Sequence, residues 1–159
     1  MFQLSIITVG SIKEDYLAKA LLEYKKRLSA FAKLDEISIK EERIMNEDNS
    51  VEVLGALDRE GEKILSAIPD GAHVVALCVE GKQFDSIELA SILGREIDRT
   101  GKLCLIIGSS HGLSDKVKKK ANLSLSVSKL TFPHQLMRVM LYEILYRSFS
   151  IRAGKKYHK

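Results

Sequence analysis

Tryptophan is absent from this sequence, and proline and cysteine occur only twice each. So few cysteines exclude a disulfide scaffold. No internal repeat or low-complexity tract is visible. Long hydrophobic runs are missing too: the longest, Val74 to Val79, is far short of the ~20 residues of a membrane span. The N-terminal Met1-Phe2-Gln3-Leu4-Ser5 lacks the basic stretch of an export signal. Thiols without such a signal point to the reducing cytoplasm. Cys78 and Cys104 each sit inside an apolar, strand-like run and read as buried, reduced side chains. No other ligand types cluster beside them, so no metal site is expected.

What is present is ordinary for a globular chain: 159 residues, 45% apolar and 29% charged. That length suits one domain, residues 1–159, with a substantial core. Charge is uneven along it. From Asp115 to Lys159 there are 11 basic and two acidic residues, a net of +9, while residues 1–114 carry −5. A basic segment on an otherwise acidic chain points to a polyanionic partner, nucleic acid first.

Periodicity predicts the elements. Phe2 to Val9 reads as a strand closed by Gly10, and Lys13 to Ala30 has helical spacing at positions 17, 20, 21, 24 and 28. Leu34 to Ile39 alternates as a second strand, and Glu41 to Asn49 reads as a mobile polar loop. Val51 to Ile68 is a helix capped by Ser50, and Pro69-Asp70-Gly71 is a turn. His73 to Val79 and Leu103 to Ile107 are continuously apolar strands, separated by a helix over Asp85 to Asp98. A short helix follows Ser114, then a short strand over Leu123 to Val127. Pro133 takes the first-turn position of a last helix ending near Phe149. Strands alternating with helices, with central strands apolar on both faces, predict an α/β domain: a mainly parallel sheet with helices on both faces. Ligands then belong beyond the carboxyl ends of the strands.

The last helix is unusual. Between Leu136 and Phe149, ten of fourteen residues are apolar or Tyr, where a surface helix needs only one apolar stripe. It must be covered on nearly all sides, so it is either central to the fold or half of a subunit interface, and as the last helix of a small domain it favours a homodimer.

Leu103 to Ile107 runs into Gly108-Ser109-Ser110-His111-Gly112 and then a helix. A dinucleotide fold would place G-x-G-x-x-G after the first strand, and a P-loop needs G-x-x-x-x-G-K; neither is present. The loop does match G-x-S-x-G, with Ser110 as a nucleophile and Asp115 or Glu143 and His158 as partners. The short remainder, mostly helix and basic tail, leaves no room for the strands and loops a hydrolase needs.

A third reading starts from several stretches together. Ile106 to Leu113, then Thr131-Phe132-Pro133-His134-Gln135-Leu136-Met137-Arg138, then Leu145-Tyr146-Arg147 and the terminal Tyr157-His158-Lys159 are highly specific in combination. With Val9-Gly10, Glu23-Tyr24, Arg27 and Glu60-Gly61, they resemble the ribosomal RNA large-subunit methyltransferase H family, a minimal member of the SPOUT class.

The resemblance implies an α/β domain with a C-terminal deep trefoil knot, the knot and dimerisation region covering about 103–159. It implies a cytoplasmic homodimer that transfers a methyl group from S-adenosyl-L-methionine to N3 of a pseudouridine. The target lies in the intersubunit hairpin of large-subunit (23S) rRNA, on assembled 70S ribosomes, with no membrane partner. By motif position the cofactor pocket uses Leu77 and Gly108, with Val127, Ser128, Lys129, Leu130, Thr131 and Phe132. Tyr157, His158 and Arg147 are the implied catalytic group. Arg138, Arg152, Lys155, Lys156 and Lys159 would meet RNA phosphates. The general base stays open between His134 and His158, the imidazoles near the site. One departure stands out: Ser109 occupies a position where the family usually has glycine, and a positive φ there would strain it. The competing reading is a non-enzymatic RNA-binding module that uses the basic end alone.

Overall fold

The computed structural model describes residues 1–159. In chain order the elements are β1 (Phe2–Val9), α1 (Asp15–Leu28), β2 (Ala32–Ile39), α2 (Ser50–Ala67) and β3 (His73–Lys82). They continue with α3 (Ser86–Thr100), β4 (Lys102–Ile107), α4 (Asp115–Lys120), β5 (Leu123–Leu125) and α5 (His134–Arg152).

The five strands form one all-parallel sheet in the order β2-β1-β4-β3-β5. β4 is therefore inserted between β1 and β3. Its central place explains its composition: Leu103 through Ile107 are all buried, as are Leu4 through Val9 of β1 beside it. A strand covered on both faces has no reason to alternate.

Two apolar layers cover the sheet. On one face α1, α3 and α5 bury Leu21, Leu93, Leu141, Tyr142, Leu145 and Phe149 against β1, β3 and β4. On the other face α2 and α4 supply Ile64 and Val117 to a smaller layer that includes Cys78 and Cys104. Both cysteines are free and buried, and burial pushes the Cys104 thiol up to about 12. α5 packs against both α1 and α3, which accounts for most of its apolar surface within one chain. Leu136 is still exposed at its first turn, and Met137 and Met140 are half-buried.

Local chemistry sets the helix ends. Asp85 and Glu88 form a reciprocal capping box on α3, and Gly101 closes that helix in the left-handed region at φ +67. α2 is capped by Asn49, whose side chain accepts from the backbone N–H groups of Val51 and Glu52. Ser50, the predicted cap, is the first helical residue; Asn49 reaches both free donors from one position earlier. Pro133 is likewise the cap of α5 rather than its first helical residue. The Glu41–Asn49 segment is tied down by hydrogen bonds: Glu42 N–H donates to Glu60 at 2.8 Å, and Met45 and Asn46 N–H donate to Glu52.

β3 runs three residues further than predicted because its end pairs again with β5 after a register shift at Leu77 and Lys82. The β5 backbone crosses that end closely. A Cβ built on Gly81 would lie 2.6 Å from the Ser124 carbonyl oxygen, so only glycine fits. Ser126 N–H then donates to the Lys82 carbonyl at 2.8 Å.

Candidate functional site

A cavity of about 660 Å³ opens beyond the carboxyl ends of β3, β4 and β5. Its size is that of a cofactor site. The end of β3 gives one wall through Leu77 and Glu80, the loop after β4 a second, and residues 127–134 a third.

Of the predicted cofactor residues, Leu77, Gly108, Val127 and Ser128 line this cavity. So do Leu130, Thr131 and Phe132. Lys129 does not; it is exposed and lies outside the lining. The segment is shaped by its serines: Ser126 Oγ donates to the Ser128 carbonyl at 3.1 Å, and Leu130 N–H donates to Ser128 Oγ at 3.0 Å. These two short-range bonds fold the chain into a turn while leaving Leu130 70% exposed at the rim. Glu80, Lys118, His111 and Met137, which are not among the expected cofactor residues, also line the cavity. Lys118 and Glu80, both on its lining, pair at 2.6 Å, which holds the Glu80 carboxyl below the usual carboxylate range.

The glycine loop is held tightly. A Cβ on Gly108 would lie 2.2 Å from the Gly112 carbonyl oxygen, so any other residue would push the loop open. Gly112 N–H donates to the Ser109 carbonyl at 2.9 Å, and Gly112 has φ +90. No residue other than glycine has a positive φ, so Ser109 is unstrained; its side chain is buried. Below the loop lies Glu60, 3% exposed, which accepts from Glu42 N–H and faces the Ser109 hydroxyl. Burial raises the Glu60 carboxyl, and these two donors oppose the shift. Ser110 is exposed, and neither Glu143 nor His158 shares the cavity wall with it, so no nucleophile–base pair forms.

The C-terminal tail builds a second cluster on α5. Tyr157 donates its hydroxyl to Glu143 Oε2 at 2.8 Å. Arg147 donates to the other oxygen through Nε at 2.9 Å and Nη2 at 2.7 Å. The Arg147 guanidinium lies over the Tyr157 ring at 4.7 Å, and its Nη1 is 3.2 Å from His158 Nδ1. Tyr146 meets Tyr157 edge-on, and Tyr24 also approaches Glu143, with its hydroxyl raised to about 12 by burial first and by that carboxylate second. The three predicted catalytic residues are therefore together, but away from the cavity of the same chain. Met137 lines the cavity, and Arg147 is ten residues further along one helix, about 15 Å.

The predicted phosphate ligands divide. Arg138 is 6% exposed; its Nη2 donates to the Val9 and Gly10 carbonyls at 3.4 and 3.1 Å. It braces the end of β1 and is buried within the chain. Arg152 lies across Gly94 and pairs with Asp98 at 2.5 Å. Lys155 sits over the Phe31 ring at 4.4 Å, while Lys156 and Lys159 are exposed.

Comparisons with known proteins agree with this architecture. The family described as "Predicted SPOUT methyltransferase" matches residues 2–158. A protein of Caldicellulosiruptor saccharolyticus named ribosomal RNA large subunit methyltransferase H is 49% identical over 156 residues, covering 98% of this chain and 99% of that protein. A Bacillus pumilus protein of the same name is 47% identical over 157 residues, with the same coverage. Among solved structures, a probable methyltransferase from Bordetella pertussis Tohama I superposes with a TM-score of 0.60 at 15% identity, covering 93% of this chain and 95% of that one. A probable methylase family protein from Haemophilus influenzae Rd KW20 gives a TM-score of 0.52 at 14% identity, covering 97% of this chain and 67% of that one. No helix is long and apolar enough to cross a membrane.

Proposed function

The chain belongs to the SPOUT methyltransferase family, among the ribosomal RNA large subunit methyltransferase H proteins, and from that premise we propose that it methylates N3 of a pseudouridine in large-subunit rRNA. The methyl donor is S-adenosyl-L-methionine, and the substrate is the intersubunit hairpin on assembled 70S ribosomes. The observation that carries this reading is the cavity formed by the Gly108 loop and residues 127–132, with seven of the eight family-derived cofactor positions on its wall.

The residues present fit that cofactor. Gly108 and Gly112 leave backbone groups bare for polar contacts, and Leu77, Leu130 and Phe132 give apolar surfaces for a flat ring. When bound, S-adenosyl-L-methionine supplies an electrophilic methyl group. The chain's own residues do the rest. They hold the uracil-type base in line, remove its N3 proton and exclude water. The tail is the source of those groups: the Tyr157 ring offers a stacking surface, Arg147 a cation for the N3 anion, and His158 an imidazole to take the proton.

Tail and cavity are separated along α5, so the tail acts on the pocket of a second copy in a cytoplasmic homodimer. Exposed Leu136 and half-buried Met140, on α5 near the cavity, support that interface. Our reading includes the C-terminal trefoil knot; the close crossing of β5 over Gly81 and the Ser126–Lys82 bond support it.

The deciding experiment is transfer of labelled methyl from S-adenosyl-L-methionine to assembled ribosomes lacking the modification, with free large subunits alongside. Label in the pseudouridine hairpin of assembled ribosomes is the expected result. A folded protein that binds ribosomes but transfers no label would leave the RNA-binding module as the reading.

A further inference from the structure

A second, smaller cavity of about 390 Å³ lies beyond the ends of β1 and β2, and its chemistry differs from that of the first. Ile39 is its one hydrophobic wall residue; Lys13, Lys40, Ser11 and Ser38 give it a polar lining. His134 belongs to the walls of both cavities, so the two adjoin. The lysines that form ion pairs in this protein are Lys25, Lys63, Lys116 and Lys118; Lys13 and Lys40 are not among them. A single acid, Glu41, shares the cavity with them.

The backbone is arranged to keep the space open. Gly10 turns the chain at φ +82, and a Cβ there would meet the Glu41 carboxylate at 3.3 Å. Lys13 N–H donates to Gln135 Oε1 at 2.9 Å, which fixes the loop after β1 to the first turn of α5. Under the floor, the buried Arg138 guanidinium holds the Gly10 carbonyl, and its Nε has no partner. Two exposed lysines without ion-pair partners line the cavity, and a buried guanidinium with an unpartnered Nε is bonded to its Gly10 wall; together they make a site for an anion.

We propose that this cavity is a phosphate subsite: it holds a backbone phosphate of the RNA strand next to the target nucleotide, with Lys13 and Lys40 as its ligands. The inference rests on the RNA-methyltransferase reading. The reactive end of the cofactor is a sulfonium cation, which two lysines would repel, whereas the strand entering beside the first cavity is polyanionic. The cofactor's own carboxylate is the other anion within reach, and the experiment separates the two.

The test compares wild type with Lys13→Ala/Lys40→Ala, and with Lys26→Ala/Lys33→Ala as a charge-matched control at the opposite end of the sheet. Methyl transfer to ribosomes is measured against ribosome concentration and salt, and S-adenosylhomocysteine binding by calorimetry. The expected result is a KM for ribosomes raised about tenfold in the Lys13/Lys40 variant, with kcat and cofactor affinity unchanged. The salt slope of binding should fall by about 0.7, one phosphate's worth on a single strand. Weakened S-adenosylhomocysteine binding would overturn the proposal and assign the lysines to the cofactor. An equal loss in the control would also overturn it, as would unchanged KM and salt slope. Wild type that fails to methylate ribosomes refutes the family reading itself, an outcome distinct from failure of the subsite.

Discussion

Tyr157, near the end of the chain, is anchored to Glu143 in the middle of α5 by a 2.8 Å hydrogen bond from its phenol to one carboxylate oxygen. Arg147 occupies the other oxygen, so one acidic side chain positions both the ring and the cation assigned to the target base. Glu143→Ala should free both. Methyl transfer is expected to fall about 10- to 100-fold, with S-adenosylhomocysteine affinity unchanged. The Tyr157 hydroxyl is raised chiefly by its bond to Glu143, so it should ionise at lower pH in the variant, read by ultraviolet difference titration.

Replacing Tyr157 and His158 with alanine should reduce transfer while leaving cofactor binding intact. Mixing that variant with Gly108→Ala in one preparation should restore activity well above either alone, because a hybrid dimer keeps one intact pocket facing one intact tail. No recovery on subunit exchange would put the tail on its own chain's pocket.

Gly108→Ala tests the cradle. The added methyl would meet the Gly112 carbonyl at 2.2 Å, so the loop must open. Calorimetry should show S-adenosylhomocysteine binding weakened about tenfold or more, and the ligand should no longer raise Tm as it does for wild type. Ser109→Gly, by contrast, should change affinity little, since Ser109 has no positive φ to relieve.

Glu60 should give the protein a measurable pH signature. Its carboxyl is raised in the fold, first by burial, so the protonated form is favoured there. The stability it contributes is present below its unfolded value and is lost as pH rises through the folded one. Glu60→Gln removes that titration and keeps an acceptor for Glu42 N–H. Wild type and variant should melt alike near pH 4, with the variant gaining as pH approaches about 7. Identical melting curves at both pH values would refute this role.

The elements most legible in the sequence were those with one dominant cause. Leu103–Ile107 and Val74–Ala76 are apolar on both faces because they lie inside the sheet, and Asp85 with Glu88 announces a helix start. The strand order was not legible, since nothing local says that β4 enters between β1 and β3. Arg138 shows a second limit. Formal charge does not reveal burial: Arg138 is 6% exposed, and its Nη2 donates to the Val9 and Gly10 carbonyls. Motif position brought seven cofactor residues to one cavity but included Lys129, whose exposure follows from the turn made by Ser126 and Ser128. The acidic pocket under Ser109 left only a faint trace, a glutamate followed by glycine in the middle of a helix.

α5 fills the space between α1 and α3, and its side chains complete the larger apolar layer over the sheet. A nascent chain that has made everything up to β5 still lacks the cover for β1, β3 and β4. Until α5 is made, the part of that layer filled by Leu141, Tyr142, Leu145 and Phe149 stays open. Closure of that layer therefore waits for α5, and shielding of the open face until then, by a chaperone or by the tunnel itself, becomes part of the protein's biogenesis.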